Sequence, residues 1–277
     1  MKPDFLRVAD GRSGKTWDAF RMDTPDMSIF DYSIYFGLTL ILSTLFATGG
    51  VGSAIGLVPA LETAGLPLTL ARALGLFVNT TSTIFTASVH LRSGLLKLRD
   101  AWPLVVSVLV ATPAGAWASQ FVSPDIVRAA LAVFLIVAAI LMLVPRRPVL
   151  TQNKSPLPRL LIGASVGAVS GLVGVGGGTL IIPALLLLGE DTKSAARTVS
   201  VVIPFSSAGG FLTYLQFVSM DWALLAVVGV AAAVGGHLGG KLMNRRLNAA
   251  HVKRFIAALL IVLAAKLLAT PLFSLFT

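Results

Sequence analysis

The sequence predicts an all-α protein that crosses the membrane several times, built from two tandem copies of one unit. Three observations carry that prediction. First, 56% of its 277 residues are hydrophobic and only 12% are charged, far too few charges to cover a soluble surface. Second, the apolar residues fall in long runs, such as Ile29 to Leu45, Trp102 to Val122, Ile126 to Val144 and Leu160 to Val175. A helix needs about 20 mainly apolar residues to cross a bilayer, whereas a membrane β-barrel shows shorter alternating segments. Third, the chain repeats itself. Gly50-Val51-Gly52, Pro59-Ala60-Leu61 and Gly65 return as Gly174-Val175-Gly176, Pro183-Ala184-Leu185 and Gly189, 124 residues later.

The repeat continues beyond these glycines. Ala71-Arg72 matches Ala196-Arg197, and Val127 to Ala139 matches Val252 to Ala264, at an offset of 125. Such a period is too long for a solenoid. The expected organisation is a cytosolic tail over 1–28, a first membrane repeat over 29–145, a polar proline-rich linker over 146–158 and a second repeat over 159–277.

In chain order, the first unit predicts a long helix near 29–48, a broken segment near 50–65, and helices near 68–91, 101–121 and 125–144. The second predicts a helix near 159–173, a broken segment near 174–189, and helices near 193–216, 222–243 and 250–270. Glycine and proline in the broken pieces expose backbone that lipid cannot satisfy, so those pieces must pack inside protein or line a cavity. Pro59 and Pro183 are read as helix breaks. If the broken pieces do not cross, the halves run parallel with about eight spans. If they cross, the alternative is ten spans and inverted repeats. With the N-terminus placed in the cytosol, the positive-inside rule favours eight.

The formal charge of +10 comes from Lys and Arg clustered between apolar runs, as in cytosolic loops, and does not indicate nucleic acid. The absence of cysteine excludes disulfides and thiol chemistry. No metal-ligand spacing, catalytic carboxylate pair or Ser/His/Asp set is visible, so neither enzyme chemistry nor a cofactor is expected.

The candidate binding residues follow from the repeat. Gly174, Gly176, Gly177 and Gly178, with Gly50 and Gly52, would unwind backbone so that amides face a ligand, or would let helices pack closely. Arg72 and Arg197 hold matching places near helix starts. A charge within a membrane segment marks a site or snorkels to the interface, and paired guanidinium groups suit an oxyanion. Polar patches follow, with Asn79 and Thr80 in one half and Ser206 and Ser207 in the other. Glu62, His90 and His237 are the titratable candidates for coupling to a proton.

The G-V-G, P-A-L and A-R pattern resembles that of the TauE/SafE family of sulfite exporter-like membrane permeases, over roughly 30–270. Ser53 and Ala54 depart from it, standing where the second copy has Gly177 and Gly178. The resemblance implies a permease of the bacterial cytoplasmic membrane, associated with sulfite and organosulfonates and working without ATP hydrolysis. The expected partners are a small anion, the lipid bilayer, a coupling proton or sodium ion and a second copy in a homodimer. The expected activity is secondary transport, by export. A passive anion channel and a non-transporting scaffold are the alternatives.

Overall fold

The computed structural model describes residues 27–49, 52–91, 101–143, 156–190, 192–244 and 249–273. Ten α-helices occupy them: α1 Ile29–Thr48, α2 Ala54–Thr63, α3 Leu68–Leu91, α4 Trp102–Ala118, α5 Pro124–Leu143, α6 Pro156–Val173, α7 Gly178–Leu187, α8 Thr192–Tyr214, α9 Trp222–Asn244 and α10 Ala249–Phe273. Among the described residues, α1, α5, α6, α9 and α4 with its following turn are long and apolar enough to cross a membrane. The chain is a multi-pass membrane protein. Apolar side chains such as Val110, Leu161, Val230 and Val262 cover the outside. Exposed Trp102, Trp117 and Trp222 sit at helix ends, where amphipathic rings favour the water–lipid boundary.

Several helix bounds differ from the sequence reading. α6 begins at Pro156, inside the expected linker, because proline is well tolerated at the first helical position, whose N–H has no partner. The chain breaks at the glycines and not at the prolines: Pro59 lies inside α2 and Pro183 inside α7. A proline removes one internal hydrogen bond, and these short helices persist around it.

Close contacts fix the helix directions. Ser43 lies beside Gly235 and Ala47 beside Gly239, so α1 runs with α9. Ser82 lies beside Gly236 and Thr86 beside Gly240, so α3 runs with α9 too. Thr112 bonds Ser206 and Ser119 bonds Tyr214, so α4 runs with α8. Gly163 lies beside Ser107 and Gly171 beside Thr112, so α6 runs with α4. The two sets oppose each other, because Asn79 of α3 meets Ser207 of α8 while Arg72, earlier on α3, meets Tyr214, later on α8. Helices α1, α3 and α9 thus start at one face, the A face; α4, α6 and α8 start at the opposite B face.

The packing partners also exchange. α1 packs on α9 as α6 packs on α4; α3 packs on α9 as α8 packs on α4; α2 packs on α3 as α7 packs on α8. Small residues make the closest of these contacts. A Cβ on Gly115 would sit on the backbone of Ala168, and one on Gly171 on the carbonyl of Thr112. Glycines at 163, 167 and 171 form a four-residue stripe down α6, the spacing that lets membrane helices approach closely.

Candidate functional site

The two short helices carry the site. Each follows a long helix and starts midway along the bundle, and in the second half the chain turns back at glycines. In the second half the restart needs glycine, since Gly174 and Gly176 have φ of 79° and 68°. The first restart has ordinary backbone at its N-cap, Ser53, with φ −70° and ψ −25°.

Both restarts meet the same side chain. A Cβ on Gly52 would lie 2.5 Å from Asn79 Oδ1, and one on Gly176 would lie 2.5 Å from Asn79 Nδ2. Asn79 is fully buried. Its Nδ2 donates to Ser207 Oγ at 2.7 Å, and its Oδ1 has no hydrogen-bond partner. Ser53 Oγ and Ser82 Oγ lie 3.0 Å apart next to it. Neither α2 nor α7 receives a side-chain N-cap; the Gly56, Gly178 and Leu180 amides turn to backbone carbonyls, and the Ala54, Ile55 and Thr179 amides are left as the donors a guest could use.

From this crossing the short helices leave in opposite directions. α2 ends at the A face, where Tyr35 Oη donates to Ala64 O at 3.5 Å and the chain turns into α3 at Gly65, φ 103°. Glu62, near its end, accepts from Arg128 Nε at 2.6 Å. α7 ends at the B face, where Arg159 Nη2 donates to Glu190 at 2.8 Å and Gly189, φ 87°, makes the turn into α8. At the A face, Tyr32 Oη also donates to Asp221. Burial pushes the Asp221 carboxyl up, but hydrogen bonds from Tyr32 and the Ala223 and Leu224 amides outweigh it and leave the carboxyl below its ordinary value.

Arg72 lies two turns from Asn79 on the same side of α3. It is 3% exposed. Its Nη2 donates to Leu172 O at 2.5 Å and to Tyr214 Oη, and its guanidinium stacks 4.8 Å from the Tyr214 ring centroid. Tyr214 Oη in turn donates to Gly171 O at 3.2 Å. The guanidinium therefore caps the carbonyl end of α6, where the helix dipole is negative. This cross-half contact is one that sequence reasoning missed: Tyr214 carries no motif signal, and only the antiparallel register of α3 and α8 brings it to Arg72.

The remaining expected residues divide. Ser207 joins Asn79, and Gly174, Gly176, Gly177 and Gly178 line the second restart. Thr80 spends its hydroxyl on Leu76 O at 2.8 Å. Ser206 bonds Thr112 at 2.9 Å, linking α8 to α4. His237 is half-buried on α9. Gly50 and the side chains of Arg197 and His90 lie outside the described residues. Among the described residues no three His, Cys, Asp or Glu side chains gather as metal ligands.

Comparison with known proteins places these features in a family context. A family model described as "Sulfite exporter TauE/SafE" matches residues 35–267. A probable membrane transporter protein of Sinorhizobium fredii is 30% identical over 245 residues, covering 82% of this chain and 94% of the relative. A probable membrane transporter protein of Methanocaldococcus jannaschii is 27% identical over 169 residues, 56% of this chain and 62% of the relative. The "Sulfite exporter TauE/SafE family protein 1" of Arabidopsis thaliana is 32% identical over 123 residues, covering 43% of this chain and 27% of the relative.

Proposed function

The chain belongs to the sulfite exporter TauE/SafE family and is a membrane transporter, and we propose that it moves a small sulfur-containing anion, a sulfite- or sulfonate-like species, out of the bacterial cytoplasm by alternating access. One observation carries this reading. Two half-length helices start at the same buried Asn79 and run to opposite faces. Broken helices whose N-termini point at a shared midpoint suit an anionic guest. Rocking one half against the other would open that midpoint to each side in turn.

This reading takes the ten-segment, inverted alternative over eight parallel spans. α2 and α7 are each only 10 residues long, about 15 Å, but each completes a return from the midpoint to a face. The support for orientation is charge. The A-face connections 64–67, 119–123 and 215–221 hold no Lys or Arg. The helix ends at the B face flank sequence, outside the described residues, that holds Arg92, Lys97, Arg99, Arg146, Arg147, Lys154, Arg245 and Arg246. The positive-inside rule then makes the B face cytosolic. The 1–28 tail, expected in the cytosol, falls outside on this reading; its five Lys and Arg are matched by five Asp. An inside-negative potential favours anion exit by about 2.3 kcal/mol per charge per 100 mV.

Reconstitution in proteoliposomes tests this. A carrier gives saturable sulfite or sulfonate flux with counterflow. Ohmic flux without counterflow would establish the channel alternative, and no flux of any anion would leave the scaffold.

A further inference from the structure

Resting on the transporter reading, we propose that the guest at the Asn79 crossing is a monoanion carrying its own proton, a hydrogen oxyanion such as hydrogensulfite, held by the two helix N-termini and the Asn79 amide. Charge magnitude is the first argument. A helix N-terminus is equivalent to roughly +0.5 elementary charge. α2 and α7 both start at Asn79 and neither is capped by a side chain, so together they offset about one negative charge, which suits a monoanion and leaves a dianion half-compensated. The charged side chain described nearest along α3, Arg72, is engaged two turns away with Leu172 O and Tyr214.

The second argument is the unsatisfied atom. Asn79 Oδ1 is an acceptor, fully buried and without a partner, at the start of α2. A buried acceptor left unpaired is costly. An anion with only acceptor oxygens would satisfy the helix amides and leave Oδ1 orphaned. An anion with one hydroxyl satisfies both: its oxygens accept from the Ala54, Ile55 and Thr179 amides and the serine hydroxyls, and its proton is donated to Oδ1. Ser207 fixes the amide in this orientation by taking the Nδ2 proton.

The test compares three anions in proteoliposomes containing the full chain: sulfite, methanesulfonate (a monoanion with no proton to give) and sulfate (a dianion). Sulfite flux across a pH series is expected to follow the hydrogensulfite fraction, while methanesulfonate flux stays flat over the same range. Methanesulfonate should bind at least about ten-fold more weakly than hydrogensulfite, and sulfate flux should be absent. Asn79→Leu should erase the hydrogensulfite preference; Ser207→Ala, which keeps Oδ1 but frees the amide to turn, should weaken both monoanions and reduce the preference without erasing it. Thermal shift by each anion reports binding should a variant transport poorly. Equal affinity for methanesulfonate, sulfite flux indifferent to pH, or full preference in Asn79→Leu would overturn the proposal while leaving anion transport intact. Absence of flux for every anion would overturn the transporter reading and this proposal with it.

Discussion

At the scale of single residues, Arg72 separates what a sequence shows from what it hides. Its match with Arg197 and its apolar surroundings mark it as special. Its partner, a carbonyl exactly one hundred positions away on α6, depends on how the halves face each other, which no local pattern encodes. The guanidinium holds the end of α6 against the second restart, so its loss frees that end. Arg72→Ala takes the charged donor from Leu172 O and the Tyr214 hydroxyl, which keep only the longer contacts of Tyr214 with Ser119, Gly171 O and Leu172 O, at about 1–3 kcal/mol in all; the melting temperature should fall clearly, and less for Tyr214→Phe. Unchanged melting in Arg72→Ala would remove the capping role. Two glycines give a second contrast. Gly65 and Gly176 both have positive φ, but a Cβ at Gly65 meets open space while one at Gly176 meets Asn79 and Ser207. Gly65→Ala should cost about 1–2 kcal/mol of backbone strain and keep flux; Gly176→Ala should abolish flux in the same vesicle assay.

At the scale of elements, hydropathy located the long helices well, because a run of apolar residues is a local property. The sequence marks the short helices as pieces broken by glycine, with Pro59 and Pro183 as further breaks. At the second restart Gly174 and Gly176 allow the reversal through positive φ, and the prolines are carried inside α2 and α7. The small-residue stripe on α6 is equally a packing feature, legible as spacing but not as a partner choice. Gly171 sits where the Thr112 carbonyl leaves no room for a side chain. Gly171→Leu should therefore separate α6 from α4 and yield protein that is poorly folded or melts well below wild type, as read by size-exclusion profile and thermal melting. A monodisperse variant with native melting would contradict the close packing.

At the scale of the whole molecule, the offset of about 125 residues was visible in the sequence, and the sense of the second copy was not. A hydropathy profile has no direction: whether the copies are parallel or inverted turns on whether one short helix counts as a crossing. The antiparallel register of α3 and α8 is the observation on which the proposed inverted reading rests. Because the chain has no cysteine, single cysteines report the orientation directly. Ser123→Cys, in the α4–α5 connection, should react with an impermeant maleimide added outside intact cells. Gln152→Cys, between α5 and α6, should react only after permeabilisation; the reverse pattern would place the B face outside. The central claim is that both restarts share one guest reached from either side. Cysteine at Ser53, buried beside Asn79, tests it most directly. The account predicts labelling of Ser53→Cys from each face in turn, slowed by hydrogensulfite. Labelling from one face only, at a rate the anion does not change, would contradict it.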